Sequence, residues 1–129
     1  MKRAVSTVYY AMFHALCRNT ADMLVGKTKA ARSQPAWLQT YRAVDHGFAK
    51  GQCQHGTIKK FPKEIEDFAA CFVDMQEARH RADYDPVSKF TRGEVTAMIR
   101  EAGAVIGKIQ KVATSARIAF AAFVVMRKR

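Results

Sequence analysis

The chain has 129 residues, which suits one domain with its own core. Half of them (49%) are apolar, aromatics are plentiful and no low-complexity run occurs, which excludes a disordered chain. Twenty-two Lys and Arg against 11 Asp and Glu leave a formal charge of +11, which fits a polyanionic partner (RNA, DNA or an acidic protein) or, more plainly, a well-solvated basic surface.

The first helix is predicted over residues 5–25. Val5, Tyr9, Met12, Phe13 and Leu16 recur at helical spacing and form its apolar face. Arg18 and Asp22 fall four apart, where they are placed to pair, and Gly26 supplies a stop. After a basic connection, a second helix is expected over 36–50, with Trp37, Tyr41, Val44 and Phe48 inward and Gly51 at its end. Residues 52–60 lack periodicity and read as a loop.

The third helix, 62–81, is well marked. Pro62 suits a first helical position, Glu64, Glu66 and Asp67 sit in the first turn, and Arg79, His80 and Arg81 sit in the last. Ile65, Phe68, Phe72 and Met75 line its core face, and Asp85 is pushed out of helical dihedrals by Pro86. Thr91 and Glu94 form a capping-box pattern ahead of a fourth helix, 91–113, with Val95, Ile99, Ala102, Ile106 and Ile109 as its stripe. Gly103 and Gly107, four apart, favour a close helix approach. A final helix, 115–126, is expected behind a Ser115 cap, its alanines favouring helix over strand. The sum is one all-α domain, residues 1–129: a four- to five-helix up-and-down antiparallel bundle.

Three cysteines, Cys17, Cys53 and Cys71, make an odd count that reads as reduced thiols in a cytoplasmic protein. No signal peptide follows Met1-Lys2-Arg3, and the apolar stretch 118–126 is too short to span a bilayer, so no membrane partner is expected. His14 with Cys17, and Cys53 with His55, have no partner pair at zinc-like spacing, and no P-loop or other cofactor motif occurs, so neither metal nor cofactor is expected. Cys53, read in a loop, is the one candidate thiol nucleophile.

Two segments carry a resemblance. The run Ser6-Thr7-Val8-Tyr9-Tyr10-Ala11-Met12-Phe13-His14 is similar to the first-helix signature of the HEPN family. Arg79-His80-Arg81-Ala82-Asp83-Tyr84-Asp85-Pro86 resembles the Arg-x-x-Ala-Asp-Tyr-Asp-Pro turn of one of its subgroups. With Phe61-Pro62, Ile65 and Phe68 in place, the resemblance runs from Ala4 to about Ile109 and implies a HEPN-like bundle. It also implies a homodimer, an association with RNA, or pairing with a nucleotidyltransferase-like protein. Active family members are metal-independent ribonucleases using an arginine followed four to six positions later by a histidine. Here no histidine follows Arg79 or Arg81 at that distance, and Arg42 and His46 have only three residues between them. Metal-free RNA cleavage needs a base, an acid and a cation at the phosphorane, and histidine suits the proton transfers best.

Tyr10, His14 and Arg18 share a stripe of the first helix that faces, by expectation, the Arg79–Tyr84 segment. Tyr10, His14, Arg18, Arg79, Arg81 and Tyr84 are therefore the candidate binding residues. Arg79, Asp83, Tyr84 and His14 are the candidates for catalysis, with Tyr10, His14, Arg79 and Asp83 as a non-standard nuclease constellation. The plainer reading makes Arg79, Asp83 and Tyr84 a helix-ending hydrogen-bond cluster and His14 a packing residue. The expected function is thus an RNA- or partner-binding module without nuclease activity, against an active ribonuclease or a structural dimerisation domain.

Overall fold

Local capping chemistry divides the chain more finely than its apolar periodicity does. The computed structural model describes residues 1–128, which form six α-helices and one 3-10 turn, with no strand among the described residues. The helices are α1 (Lys2–Leu24), α2 (Gln34–Ala43), α3 (His46–Gln54), α4 (Lys63–Tyr84), α5 (Arg92–Ile109) and α6 (Thr114–Val125), with the 3-10 turn at Gly56–Lys60. The all-helical class is as the sequence indicates. The count rises because the second expected helix is two.

That split has a local cause. Asp45 takes an extended conformation and its carboxylate accepts the Phe48 N–H at 2.8 Å, capping a new helix. Ser33 caps α2 in the same way, with Pro35 in its first turn. Val44 is buried as its spacing suggests, but in the bend between the two helices. Gly51 lies inside α3 rather than ending it, and residues 52–60 are the end of α3 and the 3-10 turn instead of a loop.

α1 and α4 are antiparallel neighbours. Lys2 Nζ donates to the Asp85 carbonyl at 3.0 Å at one end, and Met12 meets Cys71 farther in. Val5, Tyr9, Met12 and Leu16 of α1 and Ile65, Phe68 and Phe72 of α4 are fully buried between the helices and their neighbours. α1 also touches α2, α5 and α6, so it is the central element. Phe120 of α6 packs edge-on against Phe61 and Phe68, and Gln52 of α3 donates to the Phe123 carbonyl at 2.8 Å.

Gly26 ends α1 with φ +152°, and a Cβ there would come within 2.9 Å of Arg32 Cβ. Asp22 does not pair with Arg18. Its Oδ1 takes the Arg32 guanidinium at 3.4 Å and the Trp37 indole N–H at 3.0 Å, tying the connection down to α2. α4 runs to Tyr84, so Asp83 and Tyr84 belong to its last turn, while Pro62 holds the cap position just ahead of it.

The α5 stripe runs through Val95, Met98, Ala102, Val105 and Ile109. Ile99 lies at its edge and is 54% exposed, against expectation. Gly103 and Gly107 have no neighbour within 4 Å of a virtual Cβ, so they mediate no close helix approach. α5 ends at Ile109 rather than at 113, and α6 starts at Thr114 behind Ala113, which offers no side-chain cap in place of the expected Ser115. The capping box is present: Thr91 Oγ1 accepts the Glu94 N–H at 3.1 Å and Glu94 Oε1 accepts the Thr91 N–H at 3.2 Å. Thr91→Ala is expected to cost about 1 kcal/mol of unfolding free energy, read as a lowered denaturant midpoint at unchanged slope.

Cys17, Cys53 and Cys71 are all free and buried, and burial pushes each thiol up to about 12. Cys53 sits inside α3, not in a loop, and as a neutral thiol it is a poor nucleophile. No helix among the described residues is long and apolar enough to cross a membrane. No group of three or more His, Cys, Asp or Glu among them is arranged to hold a metal.

Candidate functional site

The antiparallel α1–α4 pair places the aromatic run of α1 beneath the last turns of α4. Arg79 lies over two tyrosine rings at once, its guanidinium carbon 5.3 Å from the Tyr9 centroid and 5.1 Å from that of Tyr10. Its Nε also meets Asp83 Oδ2 at 3.2 Å, one helical turn on, and Ser6 Oγ reaches Asp83 Oδ1 at 3.5 Å. An exposed i,i+4 pair adds only a few tenths of a kcal/mol. Its effect here is position, since it ties the guanidinium to Asp83 within reach of both rings.

Tyr9 is buried, and burial raises its phenol well above the ordinary tyrosine range despite the opposing Arg79 cation. Its hydroxyl hydrogen-bonds His46 Nδ1. A phenol that keeps its proton donates it, so Nδ1 of neutral His46 accepts and its single ring N–H proton sits on Nε2. The His46 ring stacks on Phe13, with centroids 3.8 Å apart and planes 11° apart. Burial lowers the His46 pKa, the Arg79 cation lowers it further, and Asp45 opposes both. The His46 carbonyl accepts from Gln76 Nε2 at 3.5 Å, while Gln76 Oε1 is buried without a partner.

The sequence shows His46 only beside Arg42, with three residues between, and does not show its contact with Tyr9. The missed signal was Asp45, a strong helix-capping type followed at the third position by Phe48, which starts a helix there and puts His46 at its first residue.

The expected stripe is divided. Tyr10, 40% exposed, does meet Arg79. His14 turns elsewhere: its Nδ1 bonds the Tyr41 hydroxyl at 2.6 Å, and no hydrogen bond or ion pair joins it to Arg79 or Asp83 among the described residues. Burial raises the Tyr41 phenol, so that hydroxyl keeps its proton to donate. His14 and Arg18 line a separate cavity of about 490 Å³ between α1 and the α5–α6 end of the bundle.

Tyr84 is 72% exposed and packs against His80, ring centroids 4.7 Å apart. Arg81 lies over Phe90 at 5.7 Å and borders a groove whose lining includes Asp74, Glu77 and Glu101, so it forms no joint basic patch with Arg79. The arrangement offers one exposed ring, Tyr10, beside the Arg79 guanidinium, and a neutral imidazole, His46. Tyr10 offers a ring face for stacking beside the Arg79 guanidinium, which is itself paired with Asp83. For proton transfer the arrangement offers His46, not His14. Comparison of the chain with protein-family models, with curated proteins and with solved structures gives no match.

Proposed function

We propose that the chain is a HEPN-like helical domain that binds single-stranded RNA through the α1–α4 face and does not cleave it. The observation that carries this is Arg79 held over Tyr9 and Tyr10, with Tyr10 and Tyr84 presenting ring surface to solvent. Unpaired bases stack on exposed aromatic rings and phosphates follow neighbouring cations, with little demand on sequence. The +11 charge supports the same reading by drawing polyanions to the surface. A homodimer and a nucleotidyltransferase-like partner are further parts of this proposal, drawn from the resemblance of the Ser6–His14 and Arg79–Pro86 segments.

Fluorescence anisotropy with a labelled single-stranded RNA tests it. Affinity is expected to fall steeply with rising salt, and Tyr10→Ala and Tyr84→Ala are each expected to weaken binding by about tenfold. No binding at about 50 mM salt, or binding that ignores both substitutions, would leave a structural dimerisation domain as the better description.

One observation favours a second reading, a metal-independent ribonuclease: Arg79 and His46 both lie against Tyr9, an arginine–histidine pairing made across elements instead of along one helix. RNA cleavage in the presence of chelator, abolished by His46→Ala and retained in His14→Ala, would establish it over the binding module.

A further inference from the structure

We propose that the cavity between α1 and the α5–α6 end of the bundle binds the phosphate of a phosphate monoester, held by Arg117 and Asn19. This does not rest on the RNA reading, since the cavity is separate from the Arg79 cluster.

Arg117 of α6 is a buried cation, 6% exposed. Its Nε donates to Asn19 Oδ1 at 2.9 Å and its Nη1 to the Gln110 carbonyl at 3.2 Å. Both acceptors are neutral, Nη2 makes no hydrogen bond, and no carboxylate lies within ion-pair distance among the described residues. A buried charge is costly unless an opposite charge meets it. Asn19, 4% exposed, spends its oxygen on Arg117 and leaves its Nδ2 buried with no partner. An unpaired cation and an unpaired donor, both nine-tenths buried, thus line one cavity. Both donate, so what satisfies them must accept and carry negative charge.

The rim fixes how much charge. Arg18 and Lys27 are exposed at the cavity and add two cations. The one carboxylate there, Asp22, is already engaged by Arg32 and Trp37. The balance favours a dianion over a single carboxylate, and a phosphate monoester also supplies acceptor oxygens in several directions. Ile106 and Ile109 form an apolar wall, and a volume of about 490 Å³ is that of a small-molecule site rather than of a bare ion. The ester body would lie against that wall. The monoester comes either from a free small molecule or from the end of an RNA strand.

Thermal unfolding of the full chain at fixed ionic strength, with chloride as the reference anion, tests this. Inorganic phosphate and phenyl phosphate should raise Tm, phenyl phosphate by about 5 °C or more when well above its Kd, and phenol should not. Asn19→Asp places a carboxylate on the Arg117 guanidinium. It should raise Tm without added anion and remove the response to phosphate. Arg18→Ala and Lys27→Ala, both exposed, should leave the unliganded Tm in place and weaken phenyl phosphate severalfold.

A 5′-phosphorylated oligoribonucleotide that outcompetes phenyl phosphate, where its 5′-hydroxyl form does not, assigns the site to a strand end. Failure of both oligonucleotides to compete assigns it to a free ester. A phosphate response no larger than that of chloride, or an undiminished response in Asn19→Asp, overturns the proposal. RNA binding by the α1–α4 face can fail with the phosphate response intact, so the two readings separate.

Discussion

Phe72→Ala is expected to cost about 3–5 kcal/mol of unfolding free energy, a large share of the total stability of a domain this size. Phe72 is fully buried on α4, with its ring centroid 5.9 Å from Tyr9 and 6.5 Å from Phe13 of α1. Truncation removes the transfer energy of the ring and opens a cavity that two long helices, each packed against several neighbours, cannot collapse to fill. The loss should appear as a lowered denaturant midpoint with an unchanged slope. Phe72→Leu keeps most of the volume and should retain enough stability to be measured if the alanine variant is largely unfolded. Ile99→Ala is the control: a side chain that is 54% exposed should cost no more than about 0.5 kcal/mol. The site should respond too, because Tyr9 and Phe13 carry His46. A Phe72→Ala variant as stable as Ile99→Ala would mean that α1 and α4 do not form the core of the bundle.

Apolar spacing marks the core faces of α1 and α4, although Phe13 is only half-buried. It overstates α2, where Trp37 and Tyr41 are half-buried, and α5, where Ile99 is 54% exposed. Val5, Tyr9, Met12 and Leu16 are spaced for one face, and so are Ile65, Phe68, Phe72 and Met75; both faces are buried. The Thr91–Glu94 pattern is a local device and forms as such. Periodicity failed where a local hydrogen bond outweighs it. Val44 and Phe48 keep helical spacing across a bend, because Asp45 satisfies a new helix start more cheaply than a continuous helix would.

Contacts between distant segments were the least visible. Nothing in the spacing of His46 announces Tyr9, 37 positions earlier, and nothing near Arg117 announces Asn19, 98 positions earlier. The pairing expected for Asp22 was lost for the same reason: Arg32 and Trp37 return from beyond Gly26 to claim it. Of the candidate residues, Tyr10, Arg79 and Asp83 come together because they lie on the two helices whose apposition the apolar pattern does indicate. His14, one turn from Tyr10, has gone to Tyr41 and the neighbouring cavity.

His46→Ala is expected to have the largest effect of any change at the site itself. It leaves the Tyr9 hydroxyl buried without an acceptor, a cost of about 1–3 kcal/mol, and also removes the ring stacked on Phe13. The cause can be isolated by changing both partners. Tyr9→Phe combined with His46→Phe removes donor and acceptor together and keeps two rings, so the pair should cost much less than His46→Ala alone.

Acidity supplies an independent readout. Burial and the Arg79 cation lower the His46 pKa below the ordinary value near 6.5, so between those two values the unfolded chain holds a proton that the folded chain does not. Stability then rises with pH through that interval. The contribution of neutral His46 is fully present above about pH 6.5 and is lost as the pH falls toward the folded value. Below that value, where both states are protonated, no further loss comes from this group. Thermal unfolding of the parent chain and of His46→Gln, compared point by point from neutral to mildly acidic pH, isolates this group from the other histidines. The parent should lose more stability than the variant on acidification, and parallel profiles would mean that His46 is not held neutral by its surroundings.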